Sequence, residues 1–130
     1  MLNPLLIVGA GGFVGAILRY VVGGFIQKSM AVFPMGTLFI NFTGSLMLGL
    51  IMYSSEYSGL FDNESRLFLT IGVLGAYTTM STFSYESFRL LDDNQFLLFG
   101  VNVLGTVLSC IFAIYLAKVL VLTFVKVNGG

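Results

Sequence analysis

Gly75-Ala76-Tyr77-Thr78-Thr79-Met80-Ser81-Thr82-Phe83-Ser84-Tyr85-Glu86 is the stretch that decides how this chain is built. Every residue from Thr78 to Ser84 except Met80 and Phe83 carries a hydroxyl. Hydroxyl and β-branched side chains compete with the helical hydrogen-bond ladder. Coming after Gly72 and Gly75, they predict a break in a helix. Yet the surroundings, from about Leu67 to Leu90, are apolar enough to cross a membrane, with Glu86 and Arg89 near the end. A spanning helix needs about 20 such residues. Non-helical backbone at that depth is tolerated only where it is buried in protein or lines a cavity. A broken helix exposes free carbonyl and N–H groups, the usual membrane tools for holding ions. The stretch therefore reads as a mid-membrane break beside an ion path. The competing reading, a lipid-buried enzyme site, needs a base or a metal, and Glu86 is its one candidate acid.

Composition agrees with a membrane setting. The chain has 130 residues, of which 57% are hydrophobic and 9% charged, with a mean hydropathy of +0.97. Soluble domains average about 25% charged. So few charges cannot cover the surface of a soluble fold, and a disordered chain would be far more polar. Zero net charge with six basic residues excludes a nucleic-acid binder that works by neutralising phosphates. Histidine is absent and Cys110 is the single cysteine. That removes intrachain disulfides, zinc sites of His and Cys, and triads with a histidine base.

Three further stretches are long and apolar enough to span: about Pro4 to Ile26, Gly36 to Tyr53, and Phe96 to Phe124. Pro34 marks a break before the second. The expected architecture is an all-α integral membrane protein, one four-helix domain over residues 1–130 with the third helix broken. The first stretch lacks a basic n-region and a small-residue cleavage site, so it is expected to be a retained span rather than a secretory signal. Loop charges set orientation. One side holds Arg66, Lys126 and the end of the fourth span with Lys118; the other holds Lys28, with Arg89 at the edge and Arg19 deeper. The near balance leaves two alternatives open, a single orientation or insertion both ways round. The second makes an inverted pair of identical subunits possible.

The run Gly9-Ala10-Gly11-Gly12-Phe13-Val14-Gly15 superficially resembles a dinucleotide fingerprint, but Val14 sits where the third glycine belongs and no strand precedes it. Close helix packing is the stronger reading, and Gly44, Ser45 and Gly49 fit the same role. The fourth span carries Asn102, Thr106, Ser109 and Cys110 on one face, and the second carries Thr37, Asn41, Thr43 and Ser45. Any one of these could simply bond a neighbouring helix. A polar stripe two turns long points instead to an aqueous or ion pathway.

Three motifs together resemble the Fluc (CrcB) family of fluoride channels along essentially the whole chain. They are Gly12-Phe13-Val14-Gly15-Ala16-Ile17-Leu18-Arg19-Tyr20, Gly36-Thr37-Leu38-Phe39-Ile40-Asn41, and Thr78-Thr79-Met80-Ser81-Thr82-Phe83-Ser84 with Glu86. The resemblance implies a passive, fluoride-selective channel, not an enzyme, which exports fluoride across the plasma or inner membrane and lowers its toxicity. It also implies an inverted homodimer with two pores and a structural sodium ion at the centre. By that resemblance the backbone carbonyls of Gly75 and Thr78 hold the sodium. Asn41, Met80, Thr82, Phe83, Asn102, Thr106 and Cys110 line the fluoride path, and Arg19 and Glu86 hold the charged pore-end positions. The chain departs from the family twice, with Met80 where phenylalanine is usual and Cys110 near a usual serine. Methionine has no electropositive ring edge and a thiol is a weak donor.

Two other classes compete. A small multidrug transporter also has four spans, but it needs a buried acid in the first, where this chain has Arg19. An accessory membrane subunit would use its polar stripe as interface glue and would pass nothing when reconstituted alone.

Overall fold

The computed structural model describes residues 3–28 and 31–128, and they are all-helical. Helix α1 (Pro4–Gln27) starts on Asn3, whose side chain accepts the Leu5 N–H at 3.0 Å, with proline in the first turn where its missing N–H does no harm. Helix α2 (Met35–Ser58) follows Pro34 and ends at Gly59, which takes a left-handed backbone (φ 60°). The third span is composite. It opens with α3 (Asn63–Arg66), widens into a π-helical segment (Leu67–Leu74), and tightens again in α4 (Gly75–Tyr77). It stops at Thr78–Thr79 and resumes as α5 (Met80–Asp92). Helix α6 (Phe96–Asn128) is the longest. Four helical stretches are long and apolar enough to cross a membrane: Pro4–Gln27, Met35–Ser58, Asn63–Asp92 and Phe96–Val127. The chain is a multi-pass membrane protein, and its spans fall where the apolar runs lie.

The break sits three residues beyond the glycine. Gly75 keeps a helical backbone (φ −61°, ψ −35°), whereas Thr78 (ψ 156°) and Thr79 (φ −150°, ψ 114°) are extended. The hydroxyl residues rather than the glycine turn the chain. Just before them the ladder is already slack, because the Gly75 N–H reaches back five residues to the Thr70 carbonyl.

Helix α1 packs closely on the π-helical segment and α2 on α6. Both contacts need small residues. A Cβ on Gly11 would stand 2.6 Å from the Phe68 carbonyl oxygen and 2.8 Å from the Gly72 Cα, and one on Gly15 would meet the Val73 carbonyl. Backbones therefore touch here, as the glycine run predicts. A Cβ on Gly9 or Gly12 would meet nothing within 4 Å, so this contact does not require glycine there. Large apolar side chains such as Leu5, Phe13, Phe25, Leu97 and Leu108 point outward, as they do in a protein that faces lipid or a second subunit.

Candidate ion path

The break at Thr78–Thr79 is closed by a side chain from another helix. Asn41 on α2 accepts the Thr79 N–H on Oδ1 at 2.8 Å and donates from Nδ2 to the Thr79 carbonyl at 3.0 Å. One carboxamide thus pairs both backbone groups of the same extended residue. Thr79 then starts α5, its Oγ1 accepting the Thr82 N–H at 3.3 Å and donating to the Thr82 hydroxyl at 3.0 Å. Around this joint α2 is close enough that a Cβ on Gly44 would strike the Thr78 methyl group, and Thr43 shares a 3.0 Å hydrogen bond with the Tyr77 hydroxyl.

Beside the joint lies a cavity of about 330 Å³. Its walls bring together Asn41, Met80, Phe83, Thr106 and Cys110 with Gly75 and Thr78, and no charged side chain lines it. Phe83 is 6% exposed and Met80 70%, so the two line one cavity from different depths. Thr82, expected beside them, lines a different space. That second space is a groove of about 690 Å³ holding Arg19, Lys28, Thr37, Thr82 and Glu86. Adjacent helical residues point about 100° apart, which separates Thr82 from Phe83. Thr79 lines both spaces and stands between them.

Arg19 and Glu86 share the groove without pairing, since the ion pair found among the described residues is Arg89–Asp93 at 4.0 Å. Thr37 and Glu86 line the same groove, and Oε2 of Glu86 is buried without a partner.

The α6 stripe divides. Thr106 and Cys110 face the cavity; Asn102, 1% exposed, does not line it. Instead Asn102 accepts from the Thr106 hydroxyl at 3.4 Å and donates to Ser87 at 2.9 Å, and Ser87 donates to the Phe83 carbonyl at 2.6 Å. A chain of polar groups therefore ties the α6 stripe to the backbone of Phe83. Sequence reasoning placed neither Ser87 nor Thr79 in the site. Thr79 carried a signal, its place in the hydroxyl run; Ser87, one turn beyond Phe83, carried none.

Fold and site together define a multi-pass membrane protein with an uncharged cavity beside a broken helix. Residues 6–118 match the family described as CrcB-like protein, Camphor Resistance (CrcB). The chain is 61% identical over 118 residues to the fluoride-specific ion channel FluC 3 of Methanosarcina barkeri, covering 91% of this chain and 89% of that one. It is 56% identical over 115 residues to the fluoride-specific ion channel FluC 1 of Methanosarcina acetivorans, covering 88% of each chain. A bacterial relative, the fluoride-specific ion channel FluC of Geobacter metallireducens, is 45% identical over 81% of this chain and 86% of its own. The chain belongs to the CrcB family.

Proposed function

We propose that the protein is a fluoride-selective channel that lets fluoride leave the cell passively through the plasma or inner membrane and so limits its toxicity. The observation that carries the reading is the cavity wall, which holds an amide, hydroxyls, a thiol and a buried aromatic ring but no charge. Fluoride must be offered donors in place of its water, and an anion held by a fixed cation would leave slowly. The relatives named as fluoride-specific channels support the same reading. In it, Asn41, Met80, Phe83, Thr106 and Cys110 face the ion. Thr82, Arg19 and Glu86 act in the groove at one end, and Asn102 acts through Thr106.

The functional unit is an inverted homodimer with two pores, the break lying at mid-membrane and the chain inserting both ways round. The outward apolar faces and the balanced loop charges favour it. A sodium ion belongs at its centre. The hydrogen bonds at the break run to the Leu74 carbonyl and to and from Asn41, leaving the Gly75 and Thr78 carbonyl oxygens unused among the described residues. Gly75 is exposed and Thr78 half-buried, so both can meet a second copy. Backbone oxygens suit a hard cation, and from each subunit these two would hold it as a structural ion that is not transported. Its removal should lower flux, with larger alkali ions substituting poorly.

Fluoride efflux from proteoliposomes, followed with a fluoride electrode, tests the function. Fast fluoride and negligible chloride efflux are expected. Comparable rates for the two anions would sink the reading.

A further inference from the structure

Helix α2 begins without a cap of its own. Pro34 precedes it, bringing no N–H and making no side-chain hydrogen bond. The first N–H groups of a helix have no partner within it, and in a membrane protein water is not always there to serve them. Gln27, the last residue of α1, does this work from outside. Its Oε1 accepts the Gly36 N–H at 3.0 Å and its Nε2 donates to the Phe33 carbonyl at 3.1 Å. That carbonyl also accepts the Met35 N–H at 2.8 Å, so one side chain grips both ends of the turn into α2.

The surroundings leave little slack. A Cβ on Gly36 would stand 2.6 Å from the Gly23 carbonyl oxygen and 3.3 Å from the Gln27 Cβ, so the end of α1 and the start of α2 are dovetailed. The residue after the gripped Gly36 is Thr37, 6% exposed, which shares a groove with Glu86 on α5. Gln27, Gly36, Thr37 and Glu86 all line the groove that Arg19 also enters.

We infer that Gln27 is a positioning residue for this groove: by capping α2 from α1 it fixes Thr37 in the groove wall and so the mouth through which the anion reaches Thr79. Gln27 itself need not touch the ion. The inference rests on the channel reading above.

Two measurements test it. In Gln27→Leu, which keeps bulk and loses both bonds, amide hydrogen exchange at Gly36 and Thr37 should accelerate, and fluoride flux per folded dimer should fall roughly tenfold. Unchanged exchange would overturn the cap. Flux equal to wild type would overturn the positioning role. A double-mutant cycle with Thr37→Val separates positioning from general destabilisation. If Gln27 acts through Thr37, the double variant should conduct no worse than Thr37→Val within about twofold. Fully multiplicative losses would overturn the inference. Should Gln27→Leu fail to assemble, Gln27→Glu, which keeps the acceptor for Gly36 and loses the donor to Phe33, carries the same cycle. Absence of fluoride flux from the wild type would count against the channel reading, while the exchange experiment would still decide the cap.

Discussion

Helices α2 and α5 both start at a joint held by a carboxamide from another helix, and the two joints differ. At α5, Asn41 bonds the N–H and the carbonyl of a single residue, Thr79, and so seals a break inside a span. At α2, Gln27 reaches from Phe33 to Gly36 and closes a turn between spans. The first joint borders a cavity without charge; the second borders a groove with Arg19, Lys28 and Glu86. An amide can serve both joints because it donates and accepts while adding no charge. A carboxylate would only accept, and beside an anion path it would repel. Asn41 therefore joins the latch of the break to the wall of an uncharged cavity, whereas Gln27 joins the latch of a turn to the wall of a charged groove.

The largest effect should come from separating latch from wall at Asn41. Asn41→Asp keeps an acceptor for the Thr79 N–H, loses the donor to its carbonyl, and sets a negative charge on the cavity wall. Fluoride efflux should be abolished, a fall on the order of a hundredfold or more, while the dimer survives size-exclusion chromatography. Asn41→Leu removes both bonds and leaves two buried backbone groups unpaired at about 1–3 kcal/mol each, so it should also lower the melting temperature. Wild-type efflux from Asn41→Asp would remove this residue from the path and level the difference between the two joints.

A smaller effect is expected from the cavity's aromatic wall. Phe83 is buried and can turn a ring edge to an anion; Met80 is exposed and offers a flexible thioether. Favourable aromatic geometries are worth roughly 0.5–1.5 kcal/mol, so Phe83→Ile should cut flux about two- to tenfold when rates are normalised to folded dimer. Met80→Phe should stay active. Equal normalised rates for Phe83→Ile and wild type would reduce Phe83 to a packing residue.

The sequence reading reached some of this and missed the rest for physical reasons. Apolar runs set the spans because lipid demands them, and the hydroxyl run announced the break because those side chains compete with the ladder. It placed the break in the run that follows Gly75, and the structure has Thr78 and Thr79 extended with Gly75 still helical. It left Asn41 between a bond to a neighbouring helix and a place on an ion path. The structure supplies the bond, to Thr79, which lies 38 residues away. Gln27 lies just past the first apolar run, and nothing in the sequence marks its role, because its partners depend on how α1 and α2 close together. Asn102 shares the spacing of Thr106 and Cys110, but α5 covers it and turns its amide to Ser87. Periodicity names a face; what packs on that face decides which residues remain open.

The smallest effect belongs to a third helix start, one held from within its own turn. Helix α3 is capped by Asp62, whose Oδ1 accepts the Ser65 N–H at 2.9 Å in an exposed turn outside the spans. Hydrogen bonds from Ser65, the side chain's first and the backbone's second, hold the Asp62 carboxyl below the ordinary aspartate range. A value lowered by folding means that the fold favours the carboxylate. The cap's contribution is therefore present above the unfolded value, about pH 3.9, and is lost as pH falls through the lower folded value. Asp62→Ala should lower the melting temperature slightly at pH 7, and the gap to wild type should close as pH drops below about 4. Asp62→Asn, which keeps an acceptor, should sit between them at pH 7. Fluoride flux per folded dimer should be unchanged in both, because no residue of this turn lines the cavity at the break or the charged groove. If Asp62→Ala lost flux as Asn41→Asp is expected to, a local cap and a joint held from another helix would be equivalent, and the distinction drawn between the helix starts would fail.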